Sequence, residues 1–125
     1  MLVDDCGAIT EVLAKLIAGE PDMCVAGTLN TAEDLALKAE AFGADIVVCD
    51  LAMAGPCTFR QIAEVTQRGP RCGVVVFSAH NDGESIRRSF EAGAQSFICK
   101  FQDLSALLRA IRTVFVSLGR EHCEA

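Results

Sequence analysis

Tryptophan and tyrosine are absent from this 125-residue chain. Neither is available to flank a flavin ring, so a flavin-binding role finds no support. A basic surplus is also missing. Eleven Lys and Arg stand against 17 Asp and Glu, giving a formal net charge of -6 and a pI near 4.8. Phosphate backbones need a basic face, so direct nucleic-acid binding is not expected. No apolar run reaches the ~20 residues of a membrane span, and no basic-then-apolar leader opens the chain. The seven cysteines are odd in number and contain no C-x-x-C pair. That argues against a disulfide framework or a closed zinc site. Cys49, Cys72 and Cys99 lie in or beside apolar runs, where a free cysteine acts as a small hydrophobe. Cys6 differs, because it follows an acidic pair directly. A reducing cytoplasm is the expected setting.

What is present is a compact apolar chain, 51% hydrophobic, of a length that fits one domain with a real core. Strand and helix patterns alternate five times. Met1-Leu2-Val3 reads as a strand remnant, and Met23-Cys24-Val25-Ala26 as a second strand. The third runs from about Asp45 to Cys49, the fourth from Cys72 to Phe77, and the fifth from Gln95 to Cys99. Between them, apolar residues recur at helical spacing. Ile9, Val12, Leu13, Leu16 and Ile17 mark the first helix. Asn30 and Glu33 form a capping-box pattern before Ala32, Leu35, Ala36 and Ala39, and Gly43 suits the C-terminal cap. Phe59, Ile62 and Ala63 mark a third helix that stops before Gly69-Pro70. Asn81 and Glu84 repeat the capping pattern ahead of Ile86 and Phe90, which are expected to face inward. The last helix, capped by Asp103, carries Leu104, Leu107, Leu108, Ile111, Phe115 and Leu118. Continuous apolar strands separated by amphipathic helices mean a parallel sheet covered on both faces. The first strand is short against the usual five or six residues. Placed mid-sheet, it would leave its neighbours short of partners. Residues 1–118 are expected to form the domain and 119–125 a polar tail.

Several polar residues close these apolar runs: Asp4 and Asp5 after the first, Asp50 after the third, Ser78 after the fourth and Lys100 after the fifth. In an open parallel sheet, the C-terminal strand ends meet at one crevice. Three carboxylates, a hydroxyl and an amine would then share a site. Converging carboxylates repel, and at least one pKa should rise unless a cation neutralises them. Magnesium takes oxygen ligands, typically one or two carboxylates with a phosphate and waters. Asp5 and Asp50 suit direct ligation, Asp4 a water-mediated role, and the Ala52 carbonyl a further ligand. Asp50 can act as a nucleophile on phosphorus, with Lys100 pairing a phosphoryl oxygen and Ser78 donating a hydrogen bond.

Four segments now bear comparison with a known family. Met1-Leu2-Val3-Asp4-Asp5, Ile46 through Gly55, Val74-Val75-Val76-Phe77-Ser78-Ala79-His80 and Ala92 through Lys100 resemble the receiver domains of two-component response regulators. The likeness covers nearly the whole chain. It is nearest the NarL/FixJ type, also through Glu20-Pro21-Asp22-Met23. The resemblance implies a flavodoxin-like (CheY-like) α/β fold with strand order 2-1-3-4-5. It implies phosphotransfer from a histidine kinase to Asp50, and Mg²⁺ at Asp4, Asp5 and Asp50. Ser78 and Lys100 would contact the phosphoryl group, and Ser78 and Phe97 would be the switch residues. Self-phosphorylation and autodephosphorylation would be its only chemistry. Regulators of this type carry a DNA-binding output domain, which would lie outside these residues. A homodimer through the last helix, near Arg109, Arg112 and Phe115, is a further expectation.

The chain departs from the family in places. Met53-Ala54-Gly55, followed by Pro56-Cys57, replaces the usual Met-Pro-Gly. Position 52 carries Ala where longer side chains are frequent. Phe101 replaces a frequent proline after the lysine, which leaves the isomer of the Lys100–Phe101 bond open. His80 and His122 read as ordinary loop and tail residues. A phosphorylation-independent interaction module on the same fold is the alternative. A haloacid-dehalogenase-type phosphatase would need a second Asp at position 52, and a flavodoxin would need a Ser/Thr-rich phosphate loop after the first strand. Both features are missing.

Overall fold

The computed structural model describes residues 1–53, 55–68 and 72–119. Ala54, Gly69-Pro70 and His122 lie outside the described residues, as does the tail beyond Gly119. Ten elements alternate along the chain: β1 (Leu2–Val3), α1 (Gly7–Ala18), β2 (Thr28–Leu29), α2 (Leu35–Phe42), β3 (Ile46–Cys49), α3 (Thr58–Arg68), β4 (Gly73–Ser78), α4 (Gly83–Glu91), β5 (Ser96–Cys99) and α5 (Leu104–Ser117). The strands form one parallel sheet in the order β2-β1-β3-β4-β5.

Strand side chains alternate between the two faces. Val3, Val47, Cys49, Val74 and Val76 pack with Leu35, Ala36 and Ala39 of α2 and with Ile62 and Val65 of α3. Leu2, Ile46, Val48, Val75 and Phe77 pack with Leu13 and Ile17 of α1 and with Leu107, Leu108, Ile111 and Val114 of α5. Both faces of β3 and β4 are buried, which is why their sequences read as unbroken apolar runs.

Glycines set two close approaches. A Cβ on Gly73 would stand 2.5 Å from Val114 Cγ1, so α5 lies tight on β4. Gly93 has φ +111, and a Cβ there would stand 2.4 Å from Thr66 Oγ1. Thr66 Oγ1 in turn donates to Ala92 O at 3.0 Å, tying α3 to the turn before β5. At the opposite side of the molecule, Arg112 of α5 holds Glu20 at 2.5 Å and Asp22 at 2.8 Å. The guanidinium expected at a dimer edge is thus engaged within its own chain.

The largest departure from the sequence reading is the second strand. Met23-Cys24-Val25-Ala26 is not a strand, and β2 is the pair Thr28–Leu29 instead. The cause is the length of β1. Leu2 pairs with Thr28 and Val3 with Leu29. Among the described residues, the only rung below is the bond from Leu2 N to Gly27 O at 3.0 Å. A strand needs a neighbour to receive its backbone groups, and Met23–Ala26 face a place that β1 does not reach.

Smaller corrections concern caps and faces. Asp82, not Asn81, caps α4, accepting from Ser85 N at 3.0 Å. α2 starts after Asp34, which has φ 54, and Asn30 with Glu33 makes no capping box. Val12 and Phe90 are exposed, and Ser89 takes the buried position on α4. β4 begins at Gly73 rather than Cys72 and includes Ser78. Asp103 caps α5 as expected, through Ser105 N. No cis peptide bond occurs among the described residues, so Lys100–Phe101 is trans.

Candidate functional site

Asp4 and Asp5 follow β1, Asp50 follows β3, Ser78 ends β4 and Lys100 follows β5. All strands run the same way, so these residues share one rim of the sheet. Asp4, Asp5 and Asp50 each bring a carboxylate oxygen within 4.8 Å of the other two. Asp4 and Asp50 are buried, with 6% and 5% of their surface exposed, while Asp5 is open to solvent.

Two buried carboxylates this close need compensation. Lys100 provides it, with Nζ 2.8 Å from Asp4 Oδ2 and 3.4 Å from Asp50 Oδ2. Burial alone would lower the Lys100 pKa. The hydrogen bond to Asp4 and the charges of Asp50 and Asp4 outweigh that effect and hold it above the ordinary lysine value. The Phe77 ring, its centroid 6.0 Å from Nζ, forms a further wall, at the outer limit of a cation–π contact.

Each acid is also held by backbone. Asp4 Oδ1 accepts from Cys6 N at 2.9 Å, and Asp50 Oδ1 accepts from Leu51 N at 2.9 Å. One oxygen of each is thus anchored and the other turned toward Lys100. These amide donors left no mark in the sequence, since a main-chain N–H is available at nearly every position. Behind Asp50, burial pushes the Cys49 thiol far above its ordinary pKa, and the charges of Asp50 and Asp4 add to this. Cys49 is therefore a filler with no accessible thiolate form.

Ser78 is fully buried, and its Oγ accepts from His80 N at 3.1 Å. Its carbonyl accepts from Lys100 N at 3.0 Å, which locks the end of β4 to the lysine. Phe97 is half-buried on β5, packed against the cluster that contains Val74, Val76 and Ala94. Ala52 is exposed, just beyond Asp50. Oxygen-only donors with one half-buried cation suit a hard divalent ion and an anion, and offer nothing to a soft metal.

The sequence profile of the response regulator receiver domain matches residues 1–112. The chain belongs to this family. The receiver is 25% identical to the transcriptional regulatory protein DegU of Brevibacillus brevis, over 91% of its own length and 48% of the relative's. It is 26% identical to the nitrate/nitrite response regulator protein NarL of Escherichia coli (strain K12), over 89% of its length and 51% of the relative's. Among solved structures, a LuxR-family two-component response regulator from Aurantimonas sp. SI85-9A1 is 27% identical. That likeness has a TM-score of 0.86 and covers 94% of the receiver and 84% of the other chain. The chain spans about half the length of the curated relatives it matches. Six cysteines of the receiver are free among the described residues, and no described helix is long and apolar enough to cross a membrane.

Proposed function

We propose that this receiver accepts a phosphoryl group on Asp50 from a histidine kinase and thereby switches the surface it offers to an output partner. The observation that carries this reading is the cluster of Asp50, Asp4 and Lys100, with Nζ between the two carboxylates. In the transfer, an Asp50 carboxylate oxygen attacks phosphorus. The new P–O bond forms as the P–N bond of a phosphohistidine breaks, and the leaving imidazole takes up a proton. Asp50 Oδ1 is held by Leu51 N, so Oδ2 is the oxygen turned toward the reacting side.

Asp4, Asp5 and Asp50, with the Ala52 carbonyl, are the groups that would hold Mg²⁺. When bound, the ion supplies positive charge against the transferring oxygens. Lys100 exchanges a carboxylate partner for a phosphoryl oxygen, a charge-assisted contact of the same kind. Ser78 donates its hydroxyl proton to another oxygen, and Phe97 follows by packing alone, since it has no hydroxyl. The switch is a two-state element biased by a local charge. The kinase and a DNA-binding output domain belong to this proposal, by analogy with the transcriptional regulators it resembles.

The test is incubation with Mg²⁺ and acetyl phosphate, followed by intact mass. The expected product is one base-labile phosphoryl adduct, lost in Asp50→Asn. If no adduct forms, or if it persists in that variant, the phosphoacceptor reading fails and an interaction module independent of phosphorylation takes its place.

A further inference from the structure

β5 is an edge strand, paired with β4 on its inner side. Lys100 N donates inward, to Ser78 O at 3.0 Å. Successive residues of a strand aim their backbone groups to opposite sides, so Cys99 turns its N–H and its carbonyl to the open edge. One residue answers both. Gln102 Oε1 accepts from Cys99 N at 2.9 Å, and Gln102 N donates to Cys99 O at 3.0 Å. A single glutamine thus stands where the backbone of a further strand would pair.

The two bonds close a four-residue turn from Cys99 to Gln102, with Lys100 as its first central residue. Phe101, the second, is 82% exposed, so packing of its ring does not hold the turn. Directly after Gln102, Asp103 caps α5 by accepting from Ser105 N at 3.0 Å. Gln102 therefore ties a capped helix start to the last residue of a strand. Between these two anchors stands Lys100. A lysine side chain is long and loses much rotamer freedom when ordered. Its Nζ nevertheless meets Asp4 at 2.8 Å and Asp50 at 3.4 Å. So flexible a side chain serves two partners only from a fixed root. Ser78 O fixes that root on the inner side, and Gln102 on the outer.

We propose that Gln102 is a positioning residue for the site. Its side-chain carbonyl clasps the end of β5, so that Lys100 presents its ammonium to Asp4, to Asp50 and to an incoming phosphoryl group. Gln102 acts through Lys100 and not on the reacting atoms. The effect on phosphoryl transfer rests on the phosphoacceptor reading of Asp50, whereas the ordering of Lys100 does not. The two parts are therefore read separately.

The test compares the full chain with Gln102→Met, which keeps the length and removes the acceptor, and with Gln102→Glu, which keeps an acceptor oxygen. The first readout is carbon-13 relaxation at the Lys100 ε-carbon in chelator-containing buffer. That carbon is expected to be ordered in the parent and in Gln102→Glu. In Gln102→Met its order should fall to that of the exposed Lys15. The second readout is the rate of adduct formation with Mg²⁺ and acetyl phosphate. It is expected to fall about fivefold in Gln102→Met, the net worth of one hydrogen bond, and to recover in Gln102→Glu. An ε-carbon that stays ordered in Gln102→Met overturns the proposal, even if the melting temperature drops, because Gln102 would then be only a cap on β5. Equal rates of adduct formation in the parent and Gln102→Met overturn it too. If the parent forms no adduct, the phosphoacceptor reading fails on its own, and the ε-carbon alone decides whether Gln102 positions Lys100.

Discussion

Lys100 Nζ lies 2.8 Å from Asp4 Oδ2, joining residues 96 positions apart in the chain. The pair closes the sheet across its C-terminal rim, from the end of β5 to the end of β1, over the ends of β4 and β3. It makes one ammonium the shared counter-charge of two buried acids.

Replacing that ammonium should therefore cost more than an exposed ion pair. Lys100→Met leaves Asp4 and Asp50 facing each other without compensation. The expected loss is on the order of 3 kcal/mol in chelator-containing buffer, read by urea denaturation. An unchanged midpoint would show that solvent already screens the two carboxylates.

The pH dependence follows from the same contact. The Lys100 pKa is raised in the fold, so its contribution is full below the ordinary value of 10.5 and is lost as pH rises through the higher folded value. Cys49 is also raised and acts in the same direction, starting near its ordinary 9.0. In a Cys49→Ala background, stability should still fall above pH 10.5. Adding Lys100→Met should flatten that limb. Thermal melts between pH 8 and pH 12 give the comparison, and an equally steep limb in both variants would count against the pairing.

Divalent cations should compete for the same acids. At a Mg²⁺ concentration 100 times its Kd, binding to the folded state alone contributes about 2.7 kcal/mol. That corresponds to a melting shift on the order of 10 °C. Asp5→Asn, at the exposed member of the cluster, should keep the fold and lose most of the shift. A full shift in that variant would place the ion elsewhere.

Gly93 offers a test of the packing between α3 and the turn before β5. Gly93→Ala meets both a positive φ and the Thr66 side chain at 2.4 Å. The strained backbone and the overpacking together should cost about 3 kcal/mol. Thr66→Ala in the same chain should recover part of this by opening space, while the backbone term remains. Calorimetry of the two variants separates the contributions.

The fold was largely legible because β3 and β4 are buried on both sides and cannot be read as anything amphipathic. The helices were legible as elements but less so as faces. Val12 and Phe90 fit an apolar stripe by spacing, yet both stand exposed, because helix rotation is set by what packs beneath. Ser89 fills the close contact instead, donating to Ser85 O at 2.8 Å. β2 could not be placed from its own residues, since Met23–Ala26 has every local property of a strand except a neighbour. At the rim, the order of Asp4, Asp5, Asp50, Ser78 and Lys100 along the strands pointed to a common location. The Lys100 bridge and the anchoring amides of Cys6 and Leu51 did not show, because they depend on distances that no spacing encodes.

The shortness of β1 has a consequence for Asp4 and Asp5. Both acids ride on a strand whose ladder to β2 holds only two residue pairs. Fraying of so brief a zipper would carry them away from Asp50 together, so ion affinity should report how often the sheet breathes at this seam. Anything that lengthens the zipper from below, far from the rim, would steady the acids above it and tighten their hold on a cation.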